Sequence, residues 1–187
     1  ISGNNLLVAL VLTMVSSLVL GMGLPTAAAY ILVATLTAPA LVSMGVDLMA
    51  AHMFVFYSAM LSSITPPVAL AAFAAAAISR DPPMRVSMVA VKYGFVAFLL
   101  PYFFVIEPRL LGEGSLLEIA SIFVTSVIGI LVLACVIQGQ FINRIPLAIR
   151  GLLGVAAIAL LMPDTTFKIT GAAIVVAVLI AKKLAKT

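Results

Sequence analysis

Charge is what this sequence has least of. Asp, Glu, Lys and Arg make up 9% of its 187 residues, against 65% hydrophobic, and its mean hydropathy is +1.34. A soluble domain is nearer a quarter charged, so the composition is that of an integral membrane protein. Tryptophan is absent, which leaves Tyr30, Tyr57, Tyr93 and Tyr102 as the ring donors available to a membrane interface. The single cysteine, Cys135, excludes an internal disulfide, and its spacing suits no metal site. In an apolar run it reads as a small packing residue. The single histidine, His52, has no partner at ligand spacing and reads as a packed or interfacial residue. Alternating segments with a polar lumen face are missing, which argues against a β-barrel. A helical bundle is the remaining way to satisfy backbone groups in lipid.

Catalytic patterns are missing too. The chain has no nucleophile–base pair, paired carboxylates or phosphate-binding loop, and no enzyme is expected. Ser62 or Ser63 with His52 is the one candidate pair, but about ten residues on one helix put roughly 15 Å between them. A net charge of +4 could suit nucleic acid. The basic residues instead sit at helix ends, as cytoplasmic anchors do, so no nucleic-acid partner is expected. The chain begins Ile1-Ser2-Gly3 without Met or a signal-peptide n-region. It is expected to be a piece of a longer protein.

What is present is a pair of helix breakers at membrane depth. Residues 1–46 hold no Asp, Glu, Lys or Arg. Within them, Gly21-Met22-Gly23-Leu24-Pro25-Thr26 separates apolar segments 6–20 and 26–42, each shorter than the roughly 20 residues of a full span. Two short helices joined by an uncharged tip suit a re-entrant hairpin whose tip is buried in protein or faces a cavity. The alternative is two tilted full spans with a tight turn. Pro39 should bend the second arm or end it early, and Asp47 is a plausible N-cap for the next helix. Residues 48–79 would run roughly 48 Å as one helix, against a hydrocarbon core of about 30 Å. Ser62-Ser63-Ile64-Thr65-Pro66-Pro67 resolves this. Thr65 is pushed out of the α region by the following proline, and the helix is expected to restart at Pro66. Ala-rich residues 69–77 would then allow close helix packing.

Beyond the break, residues 80–85 read as a surface loop and 87–106 as a span, with Lys92 able to snorkel. Residues 107–118 form a polar, mainly acidic link. Three further spans are expected at 116–137, 145–162 and 169–181. Orientation follows from the basic residues. One side receives Arg80, Arg85, Lys92, Arg144, Arg150, Lys182, Lys183 and Lys186, and the other only Arg109 and Lys168. The first side is assigned to the cytoplasm, so the hairpin enters from outside.

Such breakers offer chemistry without charge. Unwound carbonyls and hydroxyls can replace water around Na⁺, and helix C-terminal ends add negative potential. Helix N-termini, begun by Thr26 and Pro66, can face an anionic substrate group. Gly21 and Gly23 permit positive φ and a close backbone approach to an ion. The alternative is a pair of packing kinks without an ion.

Three stretches then carry a resemblance: Gly21-Met22-Gly23-Leu24-Pro25-Thr26-Ala27-Ala28-Ala29-Tyr30, Ala51-His52-Met53-Phe54-Val55-Phe56-Tyr57 and Ile64-Thr65-Pro66-Pro67-Val68-Ala69-Leu70-Ala71-Ala72. Over residues 1–112 the chain resembles the C-terminal half of the large membrane subunit of tripartite ATP-independent periplasmic (TRAP) transporters. The likeness is greatest to permeases in which small and large subunits are fused. The resemblance implies an all-α membrane protein holding the second inverted repeat of an elevator-type transporter. That repeat comprises a hairpin at 4–43, a broken helix at 48–79 and a helix at 87–106. Residues 113–187 would be a C-terminal membrane extension of three helices. The first repeat and the small-subunit region would lie outside this chain.

The resemblance also implies function: Na⁺-coupled uptake of an organic acid, such as a dicarboxylate or keto acid, across a bacterial or archaeal cytoplasmic membrane. A periplasmic substrate-binding protein would deliver the acid. Carried over by position, the Na⁺ site would use Gly21, Gly23, Ser62, Thr65 and, by its carbonyl, Val68. Position 62 is Ser where many large subunits have Thr, so the hydroxyl is kept. Thr26 and Ser63 are the substrate-contact candidates. An ion channel and a non-transporting scaffold are the competing classes.

Overall fold

The computed structural model describes residues 5–141 and 143–184. Residue 4, the expected start of the hairpin, and Lys186 lie outside them. The described chain is almost wholly helical and divides into two compact units, Ile1–Leu111 and Gly112–Thr187.

The first unit opens with α1 (Leu6–Gly21), whose N-terminus is capped by the Asn5 carboxamide accepting from the Val8 N–H at 3.3 Å. A four-residue tip leads into α2 (Thr26–Ser43). The helix α3 (Leu48–Leu61) starts where the Asp47 carboxylate accepts from the N–H groups of Met49 and Ala50, at 2.8 and 3.1 Å, as expected of an N-cap. Next come α4 (Leu70–Ser79), α5 (Pro83–Ile106) and a short 3-10 turn, Pro108–Leu111. Of these helices, α2 and α5 are long and apolar enough to cross a membrane, while α1, α3 and α4 are shorter apolar helices.

Small residues set the packing. On α1, Ala9, Thr13, Ser17 and Gly21 recur every fourth position and are all buried, as are Ala51, Val55, Ser58, Ala59 and Ser62 at the facing helix α3. Such a stripe lets backbones approach closely. The serine hydroxyls in it cost little, because each bonds within its own helix. Ser17 donates to the Thr13 carbonyl and Ser58 to the Phe54 carbonyl, both at 2.6 Å. From the other side α5 packs on α3 through edge-to-face rings. Phe54 meets Tyr102 at 5.2 Å between centroids, and Tyr57 meets Phe104 at 5.3 Å. Buried Ala72 and Ala76 lie on α4, which packs against α5.

Several boundaries differ from the sequence reading. Pro39 does not end α2, which continues to Ser43; in an apolar helix neighbouring groups tolerate the one missing backbone bond. The span expected from residue 87 begins four residues earlier, with Pro83 in the first turn of α5, where a missing N–H costs nothing. The link after α5 is not simply solvated. Glu107 is only 2% exposed, and Arg109 grips its carboxylate with two bonds of 2.6 and 2.8 Å. A buried carboxylate persists when it is paired and hydrogen-bonded in this way.

The second unit holds α6 (Leu116–Gln138), α7 (Leu147–Leu161) and α8 (Thr165–Leu184). A capping box between Ser115 and Glu118 starts α6. The turn after it contains a two-residue antiparallel pair, Gln140–Phe141 with Asn143–Arg144. The last helix begins at Thr165, before the expected 169, with the Asp164 carboxylate accepting from the Thr166 N–H at 2.8 Å. Glycine notches let both neighbours close on α7. A Cβ at Gly129 of α6 would lie 3.2 Å from the Ala157 carbonyl oxygen, and one at Gly171 of α8 only 2.8 Å from that of Ala156.

Arg150 ties α7 to the end of α6. Its Nε donates to the Val136 carbonyl and its Nη2 to the Ile137 carbonyl, the latter at 2.7 Å. These carbonyls belong to the last turn of α6, which carries the negative end of the helix dipole; the Val136 carbonyl also accepts from the Gly139 N–H at 3.2 Å. Charged hydrogen bonds contribute about 1.5–3 kcal/mol. Arg150→Gln should therefore lower the thermal midpoint of the purified protein and speed amide exchange selectively in the last turn of α6. Uniform exchange along α6 in the variant would show that the clamp does not hold that turn.

Candidate functional site

The hairpin tip and the helix break meet. At the end of α1, Gly21 packs so closely on the end of α3 that an added Cβ would sit 2.7 Å from Ser62 Oγ and 3.2 Å from the Ala59 carbonyl oxygen. Two residues on, Gly23 adopts φ +77°, and its Cβ position is 3.5 Å from Val68 Cγ1. Thus Gly21 joins Ser62, and Gly23 joins Val68. The structure corrects one expectation: only Gly23 uses positive φ. Gly21 is the last helical residue of α1, and its need for glycine comes from close approach.

The break itself is longer than a kink. Ser63, Ile64 and Thr65 N–H groups bond to the carbonyls of Met60, Leu61 and Ser62 at 3.1–3.2 Å, so α3 tightens into i→i+3 turns as it ends. Helix does not resume at Pro66, as expected, but at Leu70. The reason is the proline pair: Pro66 precedes Pro67 and is itself disfavoured from the α region. The Pro66–Pro67 peptide bond is cis. One bond spans the gap, from the Ala71 N–H to the Ser63 carbonyl at 3.0 Å.

Hydroxyls and carbonyls divide the work. Ser62 donates to the Ala59 carbonyl at 2.6 Å, Ser63 to Met60 at 2.8 Å and Thr65 to Leu61 at 2.7 Å. Each hydroxyl oxygen has its proton committed and keeps lone pairs for another partner. Among the described residues, no backbone N–H bonds to the carbonyls of Ile64, Thr65, Pro66, Pro67 or Val68, nor to those of Met22, Gly23 or Leu24. The Gly21 carbonyl accepts from the Leu24 N–H at 3.2 Å. Ser62 is 2% exposed, Ser63 and Thr65 are half-buried, and Gly23 and Val68 are exposed.

Helix ends supply the field. The contact of Gly21 with Ser62 brings the C-terminal ends of α1 and α3 together, each carrying about −0.5 of an elementary charge. The contact of Gly23 with Val68 brings together the segments that lead into the N-terminal ends of α2 and α4. No group of three or more His, Cys, Asp or Glu that could hold a metal lies among the described residues. Any cation here would be held by neutral oxygens.

The two substrate candidates are less tightly placed. Thr26 is the exposed first residue of α2, and Ser63 lies in the turn after α3. No hydrogen bond links them among the described residues. His52 stands apart from the serines, with its Nδ1 2.9 Å from the Tyr30 hydroxyl and Phe56 edge-on to that ring. One supporting residue was missed in the sequence. On α5, a Cβ at Gly94 would lie 3.0 Å from Ile64 Cδ1, so α5 closes on the break from a further side. Its signal was a lone glycine within an apolar helical run, which marks close packing.

A helical hairpin whose tip seats on a broken helix, within an assembly of apolar helices, defines an all-α membrane protein of the transporter class. Residues 1–119 match the tripartite ATP-independent periplasmic transporter family, DctM component, and the chain belongs to that family. It is thus a multi-pass TRAP permease component, and TRAP transporters work with a periplasmic binding protein. Comparison with curated proteins and with solved structures gave no match.

The tip contact makes a prediction of its own. Overpacking costs about 1–3 kcal/mol, so Gly21→Ala should lower the thermal midpoint in detergent by several degrees. Ser62→Gly should partly restore it. Gly151→Ala, where a Cβ meets open space, should change it little. Equal midpoints for Gly21→Ala and Gly151→Ala would refute the contact.

Proposed function

We propose that this chain forms part of a Na⁺-coupled permease that takes up an organic acid delivered by a periplasmic binding protein. The contact of Gly21 with Ser62 and of Gly23 with Val68 carries the reading. Na⁺ would sit between tip and break, held by the carbonyls of Gly21, Gly23 and Val68 and the hydroxyls of Ser62 and Thr65. The ion is cargo here and needs no anionic ligand, because carbonyl and hydroxyl oxygens replace its water and two helix C-terminal ends add negative potential. The substrate carboxylate would face the N-terminal ends of α2 and α4, near Thr26 and Ser63, where helix dipoles favour negative charge.

Coupling follows from the two-sided site. An ion that bridges tip and break binds the closed tip better than the open one, and a ligand shifts an equilibrium only by such a difference. With Na⁺ bound, the hairpin stays seated on the substrate while the transport unit moves across a bacterial or archaeal cytoplasmic membrane in the elevator manner. Without it, the tip lifts and the substrate can leave.

Reconstituted in liposomes with its binding protein, the complete transporter should accumulate substrate only under an inward Na⁺ gradient. Thr65→Val should raise the Na⁺ concentration for half-maximal uptake about tenfold, or roughly 1.4 kcal/mol, and Thr65→Ser should stay near the native value. Full uptake in Na⁺-free buffer would end the coupling proposal. Ionic current without saturable substrate dependence would favour a channel instead.

A further inference from the structure

The second arm of the hairpin is weakened near its base and tied near its tip. An open groove of about 660 Å³ runs along α2 where it lies beside α3. Thr35, Ala38, Pro39 and Val42 of α2 and Leu48 and His52 of α3 line it. Tyr30 closes the tipward end, its hydroxyl 2.9 Å from His52 Nδ1. This bond forms in either tautomer of the imidazole, because the hydroxyl donates to a bare Nδ1 or accepts from Nδ1–H. Phe56 of α3 meets the Tyr30 ring edge-on, at 5.6 Å between centroids.

The weak point is Pro39. It has no N–H for the Thr35 carbonyl, so one bond of the helical ladder is missing there. Just before it, the Thr35 and Thr37 hydroxyls donate to the Leu32 and Val33 carbonyls, both at 2.9 Å. Back-bonding of this kind bends helices. Ala38 and Leu41 beside it are buried, whereas Pro39 is exposed on the groove, which leaves α2 room to move. Sharp helix kinks arise at prolines. From Pro39 to Thr26 the arm is about 20 Å long, so a kink of about 20° carries the tip about 7 Å. That displacement lifts Gly21 off Ser62 and Gly23 off Val68. Tyr30 stands one turn from the tip, beyond Pro39, so its bond to His52 opposes such a bend.

We infer that the Tyr30–His52 bond is a latch set against a hinge at Pro39, and that it holds the hairpin tip on the helix break. The inference rests on the reading that the tip lifts to release its cargo, and it names the residues that set how often it lifts. Tyr30 and His52 are positioning residues, since neither belongs to the oxygens offered to Na⁺ nor to the groups offered to a carboxylate. One helix serves both purposes: the end of α3 seats the tip at Ser62, and its first half carries the catch at His52. Losing the bond shifts the balance of closed and open tips by no more than the bond is worth.

The test is amide hydrogen exchange of the complete transporter in nanodiscs, in Na⁺-free buffer, read on the peptides that span tip and break. Tyr30→Phe keeps the ring and removes the hydroxyl. It should speed exchange in both peptides about threefold, the worth of one interhelical hydrogen bond in a membrane protein, and His52→Leu should do the same. Pro39→Ala restores the missing donor, so it should slow exchange there and offset Tyr30→Phe in the double variant. Phe104→Leu loosens α5 from Tyr57 of α3; it should lower the thermal midpoint and leave tip exchange alone. Native exchange rates in folded Tyr30→Phe and His52→Leu overturn the latch, and native rates in Pro39→Ala overturn the hinge. Equal acceleration by Phe104→Leu reduces the effect to general loosening and overturns the inference as well. Because Na⁺ is absent, a failed latch leaves Na⁺-driven uptake standing, and uptake without Na⁺ leaves the latch standing.

Discussion

A helix interrupted inside hydrocarbon exposes carbonyls that lipid cannot solvate. The rest of the first unit follows from that constraint. The break between α3 and α4 is tolerable because other protein surrounds it: the tip of the α1–α2 hairpin on one side through Gly21, and α5 on another through Gly94. Hydroxyls of Ser62, Ser63 and Thr65 satisfy carbonyls as α3 ends, and the Ala71 amide reaches across to Ser63. What remains open is a limited set of carbonyls at the tip and in the loop after Ser63. The proposed ion site is thus the remainder left when the structural need is met.

Much of this was legible in the chain. The positions of α1 and α2 followed from the Gly/Pro tip between uncharged runs, within a residue at most of their ends. The Asp47 cap followed from one acid at the start of an apolar run. The end of α3 followed from Thr65-Pro66, because local sterics act on the residue before a proline. The restart was misplaced because the second proline acts on the first, and the helix needs room beyond both. Pro39 misled in the other direction, since an interior proline removes one bond and the packed surroundings decide whether the helix survives.

What could not be read was anything that depends on which surfaces meet. The spacing of Thr13, Ser17 and Gly21 marks a face, but not the partner of that face. Glu107 read as one acid of a polar link; only folding buries it and brings Arg109 around it. Arg150 looked like one more cytoplasmic anchor, whereas it reaches back to the carbonyls of α6. The family match ends at residue 119, and these features of the second unit owe nothing to it. They rest on glycine notches and one guanidinium.

The meeting of Gly21 and Ser62 has one more consequence. It is a contact made by missing atoms, and it can be tuned from one side only. Every replacement at position 21 adds matter where 2.7 Å remains. Position 62 can lose its hydroxyl without adding matter to the contact. The grip between hairpin and broken helix is therefore open to adjustment by drift at residue 62, and closed to it at residue 21. A transporter of this build would vary the closeness of tip and break along that single degree of freedom.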